Sequence, residues 1–179
     1  MEEAFKEVTD LKNDTNWMLI GFPGKNLELI GKGTGGIDEL AAKFDEKEIM
    51  WAALLVKGVD QQENVTSVRP KIVRVSFNGK SVPVMKRNRT LQFKAPVDKL
   101  FQGCAIDYQC SLLAEVEPLA IAMKLLASGG AHKPTHWDFG GQSITLKEAQ
   151  AGKRNTSSEA APEQPAAEPA AEPAEPVAE

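Results

Sequence analysis

Apolar residues in the first third of the chain fall into two kinds of pattern. Phe5, Val8 and Leu11 recur at a spacing of three between Glu2 and Lys12, with acids in the first turn. This predicts an amphipathic helix, ended by Asn13-Asp14. Trp17–Phe22 and Ile49–Val56 are instead continuously apolar, too short for helices and bounded by turn residues, so each predicts a strand buried on both faces. Between them, Pro23-Gly24 makes a tight turn and residues 26–32 (NLELIGK) alternate like the second arm of a hairpin. IDELAAKF then sets Ile37, Leu40, Ala41 and Phe44 on one face of a short helix.

The stretch from Arg69 to Phe101 organises the rest. Val73, Val75 and Phe77 alternate with Ile72, Arg74 and Ser76, which predicts a strand with one deeply buried face. The polar residues 60–67 (DQQENVTS) link this strand to Ile49–Val56 without a helix, so the two should be antiparallel neighbours. After the Asn78-Gly79 turn come Lys86, Arg87, Arg89 and Lys94 at helical spacing, with no acid before Asp98, and then Lys99. With Arg69 and Lys71 ahead of them, these cations are expected to share one exposed surface of a sheet and a helix. A basic run taken alone reads more often as a solvated helix face. Pro96 predicts a kink near Ala95, with Val97, Leu100 and Phe101 in a second short helix.

Residues 105–110 read as a fifth strand, and Glu115 to Ser128 as a last helix with Val116, Leu119, Met123 and Leu126 inward and Gly129-Gly130 as its stop. Pro118 fits only in the first turn of that helix. His136 to Leu146 carries Trp137, Phe139 and Ile144 and reads as a docked segment without an assigned place. The order α-β-β-α-β-β-α-β-α implies an α+β fold: a mixed five-stranded sheet, helices on both faces, and a right-handed parallel crossover from strand four to strand five.

Composition separates a body from a tail. Residues 152–179 hold no aromatic residue and six Glu against Lys153 and Arg154, a net of −4. They are expected to form a disordered acidic Pro/Ala/Glu tail. The rest keeps 21−2 = 19 basic and 25−6 = 19 acidic residues, a net of zero, which argues against a nucleic-acid partner. The domain is expected over 1–133, with 134–151 as a C-terminal extension. The acidic N-terminus lacks signal-peptide character and no apolar run approaches membrane-spanning length, so a cytoplasmic protein with no membrane partner is expected. Cys104 and Cys110 flank a strand and lie roughly 20 Å apart, beyond disulfide reach, so both should be free thiols.

Candidate chemistry is thin. Gly31, Gly33 and Gly36 match G-x-G-x-x-G between a strand and a helix. The helix is barely two turns, the preceding strand is a hairpin arm, and no acid ends the next strand, so a glycine turn is the better reading. His132 and His136 are separated by Pro134 and lack a nearby Glu or Cys, and no Ser or Cys has a base close in sequence. No cofactor, metal site or catalytic residue is expected; the chain reads as a binder.

These pieces, taken in order, resemble the actin-depolymerising-factor (ADF) homology family, with its gelsolin-like fold, and within it the coactosin-like branch. The likeness rests on the short first helix, Trp17–Phe22, the glycine turn before IDEL, Trp51–Val56, RPKIVRVSFNGKSVP, the basic helix, Val97–Phe101 and LLASGGAH, over roughly residues 1–132. It implies a monomeric cytoskeletal protein that binds the side of actin filaments, with weak or absent binding to monomeric actin. It assigns the central filament-binding lysine to Lys71 and the main actin contact, at the start of the long helix, to Met85, Lys86, Arg87 and Arg89. The family's long helix is uninterrupted, which conflicts with the break expected at Pro96. Severing relatives carry a flexible extension with a phosphorylatable Ser ahead of the first helix; here that helix is expected to begin at Glu2. The alternative is a cofilin-type severing and monomer-binding factor.

Overall fold

Every residue of the strand Trp17–Gly21 is buried, and it pairs with the strand Ile49–Gln62, around which the sheet is assembled. The computed structural model describes residues 1–62, 65–129 and 133–159, the last seven of these by backbone alone. The elements are α1 (Glu2–Thr9), β1 (Trp17–Gly21), β2 (Glu28–Gly33), α2 (Gly36–Ala41), β3 (Ile49–Gln62), β4 (Val65–Asn78), α3 (Val84–Leu100), β5 (Ile106–Cys110), a single 3-10 turn (Leu113–Glu115), α4 (Pro118–Ser128), β6 (His136–Asp138), β7 (Ser143–Thr145) and α5 (Leu146–Glu159). The sheet order is β2-β1-β3-β4-β5, with β4 and β5 parallel and the other three pairs antiparallel. The expected mixed α+β architecture is present, enlarged by β6 and β7 to seven strands.

Two apolar layers flank the sheet. Trp17, Leu19, Ala52, Leu54, Val56, Val73, Val75 and Phe77 pack with α2, α4, Trp137, Phe139 and Ala149 of α5. Met18, Ile20, Phe22, Trp51, Ala53 and Leu55 pack with Ala4 and Val8 of α1 and with Val97 and Phe101 at the end of α3. Strand alternation thus assigns odd positions of β4 to the α4 side and even positions to the α3 side.

Four expectations are corrected. First, α1 stops at Thr9 rather than Lys12: Asp10 leaves the helix in an extended conformation and its side chain accepts from the Lys12 amide at 3.0 Å, leaving Leu11 exposed. Second, the polar residues beside the β3–β4 connection are strand arms rather than a linker, paired from Ile49↔Asn78 to Gln62↔Val65. Polarity there reflects two solvated faces, which backbone pairing tolerates. Third, α3 runs through Pro96 without the expected break. An interior proline costs about 3 kcal/mol. Burial of Val97 and Phe101, at about 1.5–3 kcal/mol each, with half-buried Phe93 and Leu100 beside them, offsets that. Fourth, α4 begins at Pro118, its first helical position, rather than at Glu115.

The segment from His136 onward has a definite place. β6 pairs antiparallel with β3 along Lys57–Val59, on the edge that β1 occupies along Met50–Leu54. Its turn closes on the glycine run: the Ile37 amide donates to the Phe139 carbonyl at 3.2 Å, and Gln142 donates to Asp38 at 2.6 Å. Gly36 sits at φ +67°, and a Cβ there would lie 2.2 Å from the Phe139 oxygen. The glycines therefore admit the chain's own backbone, which occupies the helix start where a pyrophosphate would have to sit. Residues 152–159, expected in the tail, continue α5, and the expected disorder of the remainder falls outside the described residues.

β4 leaves part of its edge open. β5 pairs with it only from Val73, and the Ala105 amide donates to the Ile72 carbonyl at 2.7 Å, so even positions of β4 point their backbone groups away from β3. Pro70 occupies one of these outward positions.

Candidate functional site

α3 buries Thr90, Phe93, Val97 and Leu100 to varying depth against the sheet, so Val84, Asn88, Leu91 and Ala95 point outward. The outward side is unusually apolar: Val84 is 72 % exposed, Met85 75 % and Leu91 78 %. An amphipathic helix normally turns such residues inward. Leu91 also borders a cleft of about 510 Å³ with Trp51, Phe77, Arg87 and Cys110.

The cations of α3 are not equivalent. Lys86 is half-buried, its ammonium paired with Glu48 and 5.4 Å from the Phe22 ring centroid. Arg87 donates to the Lys80 carbonyl at 3.1 Å and closes the loop ahead of the helix. Arg89, Lys94 and Lys99 are exposed around the apolar stripe. Arg74, under the far end of α3, pairs with Asp98 at 2.7 Å and lies over Phe101, where it joins helix to strand.

Arg69 and Lys71 belong to a different surface, which corrects the expectation of a single cationic face. Lys71 stands opposite Val56, whose side chain lies in the layer shared with α4 and α5, whereas α3 covers the other side of the sheet. Seven residue steps along β4 from Lys71 to Asn78, about 23 Å at strand rise, further separate it from the start of α3. Two lysines not singled out in the sequence lie near Arg69. Trp137, Gly58 and Arg69 form one row across β6, β3 and β4, and a Cβ on Gly58 would touch Pro134 at 3.5 Å. Pro134 therefore lies against that row, and Lys133, next to it in the chain, lines one depression with Lys147 at the start of α5. Asp60 faces the same region and accepts from Thr135 Oγ1 at 3.3 Å. Glu148 is engaged by the amide and hydroxyl of Thr145.

Both thiols are held in the protonated form. Burial pushes the thiol pKa of Cys104 up to about 11 and that of Cys110 up to about 12. Among the described residues, no group of three or more potential metal ligands comes together, and no helix is long and apolar enough to cross a membrane. The sequence missed Val84 and Leu91, although their spacing of seven, out of phase with Phe93 and Val97, marks a second apolar face. Nothing in the sequence linked Lys133 or Lys147 to Arg69.

Comparison with known proteins identifies the family. Residues 1–126 match the model of the family described as cofilin/tropomyosin-type actin-binding protein. Coactosin of Dictyostelium discoideum is 32 % identical over 134 residues, covering 73 % of this chain and 88 % of that protein. Drebrin-like protein B of Xenopus laevis is 25 % identical over 138 residues, which are 76 % of this chain but 35 % of that longer protein. Among solved structures, coactosin from Entamoeba histolytica superposes with a TM-score of 0.60 at 23 % identity, covering 72 % of this chain and 92 % of that one. Mouse coactosin, an actin filament binding protein, superposes with a TM-score of 0.57 at 20 % identity, covering 72 % of this chain and 87 % of that one. The chain belongs to the cofilin/ADF family of actin-binding proteins and is coactosin-like within it.

Proposed function

We propose that this protein binds the side of actin filaments in the cytoplasm as a monomer, without catalysing a reaction. The supporting observation is the division of candidate contacts between two sides of the sheet: the apolar stripe of α3 with Arg89 and Lys94, and the Arg69–Lys71 surface with Lys133 and Lys147. Two contact surfaces facing different ways suit a polymer that presents neighbouring subunits; a monomer needs one. On α3, Val84, Met85 and Leu91 supply desolvation energy and the rim cations orient them. On the other side, Lys71 and its neighbours steer the protein to a negatively charged polymer. Lys86 and Arg87 position the start of α3 rather than touch the partner, because both are engaged within the chain.

The test is co-sedimentation with filaments beside native-gel binding to monomeric actin. Lys71→Ala should weaken filament binding about ten-fold, about 1.4 kcal/mol, at moderate salt. Unchanged filament binding would remove Lys71 from the site. Tight monomer binding, with filaments shortened under the microscope, would instead favour the cofilin-type severing alternative.

A further inference from the structure

The acidic C-terminal segment and the Lys71 surface carry opposite charge, and α5, which precedes that segment, starts beside this surface. Residues 160–179 hold Glu163, Glu168, Glu172, Glu175 and Glu179 and no basic residue; residues 1–159 hold the chain's 21 basic and 20 remaining acidic residues. We propose that residues 160–179 are the intrachain occupant of the surface formed by Arg69, Lys71, Lys133 and Lys147, competing there with the acidic partner. The competition rests on the actin reading above; the contact within the chain does not.

Three observations carry it. α5 starts beside this surface, with the Leu146 amide donating to the Thr135 carbonyl at 3.0 Å and Lys147 lining the depression with Lys133. It then runs along α4, where Ala149 is fully buried and a Cβ on Gly152 would lie 2.6 Å from the Met123 sulfur. The acidic segment therefore leaves α5 on the Lys71 side of the sheet, about 20 Å along the helix axis from Leu146. Twenty residues reach up to about 66 Å when extended, so the surface lies well within range. The α3 cations lie across the sheet, and Lys86 and Arg87 are already engaged. Asp60 and Glu148 are the acids at this surface, and both have hydrogen-bond partners.

A tethered segment acts at an effective concentration on the order of millimolar. A contact of similar intrinsic strength is then about half occupied, and partner affinity falls in proportion to the uncovered fraction. The test uses the full chain with Glu163, Glu168, Glu172, Glu175 and Glu179 all changed to Gln. At about 50 mM salt, amide resonances of Arg69, Lys71, Lys133 and residues 135–147 should differ between the two chains, and they should coincide at about 0.5 M, where screening is short-ranged. The Gln chain should bind filaments about two-fold more tightly at low salt. This advantage should shrink when Lys133→Ala and Lys147→Ala are added to both chains, which separates a seated segment from general repulsion by the filament. Coincident spectra at low salt would overturn the proposal. Differing spectra with equal affinities would overturn its competitive part. If neither chain sediments with filaments, the actin reading fails and the spectra alone decide the contact.

Discussion

The ammonium of Lys86 is paired with the Glu48 carboxylate while it lies 5.4 Å from the centre of the Phe22 ring, so this residue fastens α3 to the start of β3. Lys86→Ala should cost about 1–2 kcal/mol in urea unfolding, the pair being neither fully exposed nor fully buried. Arg89→Ala, on the exposed rim, should stay within about 0.5 kcal/mol of the parent. Filament binding should respond in the opposite order once both chains are folded.

Leu91 reverses the usual relation between apolarity and stability. At 78 % exposure it contributes little burial, so Leu91→Ser should leave the unfolding midpoint nearly unchanged. Filament affinity should fall about ten-fold or more, as truncation of an apolar anchor at an interface centre does. A large loss of stability with intact binding would place Leu91 in the fold rather than the site.

Gly36→Ala should be among the most damaging single changes. It combines φ +67° with a Cβ 2.2 Å from a backbone oxygen, at the point where the β6–β7 turn docks. A loss of at least about 3 kcal/mol is expected. Hydrogen exchange should rise first in residues 136–146, because Trp137 and Phe139 depend on that docking.

Three carboxylates contribute to the acid limb of stability. Trp17 and the Gly35 amide lower the pKa of Glu39, the Ser111 and Leu112 amides lower that of Glu115, and the Thr145 amide and hydroxyl lower that of Glu148, each from an ordinary 4.5. Depressed folded-state values mean the unfolded chain binds more protons between the two pKa values. Their stabilising contribution is therefore complete above about pH 4.5 and lost as pH falls through the folded values. Unfolding free energy measured against pH should show this loss, and Glu115→Gln should make it shallower.

The thiols should be protected chemically as well as sterically. A Cys104 pKa of about 11 against an ordinary 9.0 implies labelling by a disulfide reagent about a hundred-fold slower in the native protein than in urea at pH 8. Equal rates would contradict the buried environment.

What the sequence disclosed follows from which interactions are local. The alternation of Val73, Val75 and Phe77 and the unbroken run from Ile49 report burial directly, so both strands and their pairing were legible. Pro96 misled because the contacts that hold α3 together, through Phe22, Trp51 and Phe5, lie far away in sequence. The cations were legible as residue types. Their division was not, because strand parity sets Lys71 with Val73 but says nothing about which side α3 covers. β6 escaped recognition because three residues carry no periodicity, and only the edge of β3 beyond β1 gives them a partner.

Pro70 bears on how the molecule behaves when crowded. A long β-arm with an unpaired border invites a neighbouring copy to zip onto it wherever copies meet at high local density. A ring nitrogen without hydrogen interrupts that border midway, flanked by the charges of Arg69 and Lys71. The arm can then reach out from the sheet without seeding strand-to-strand aggregation.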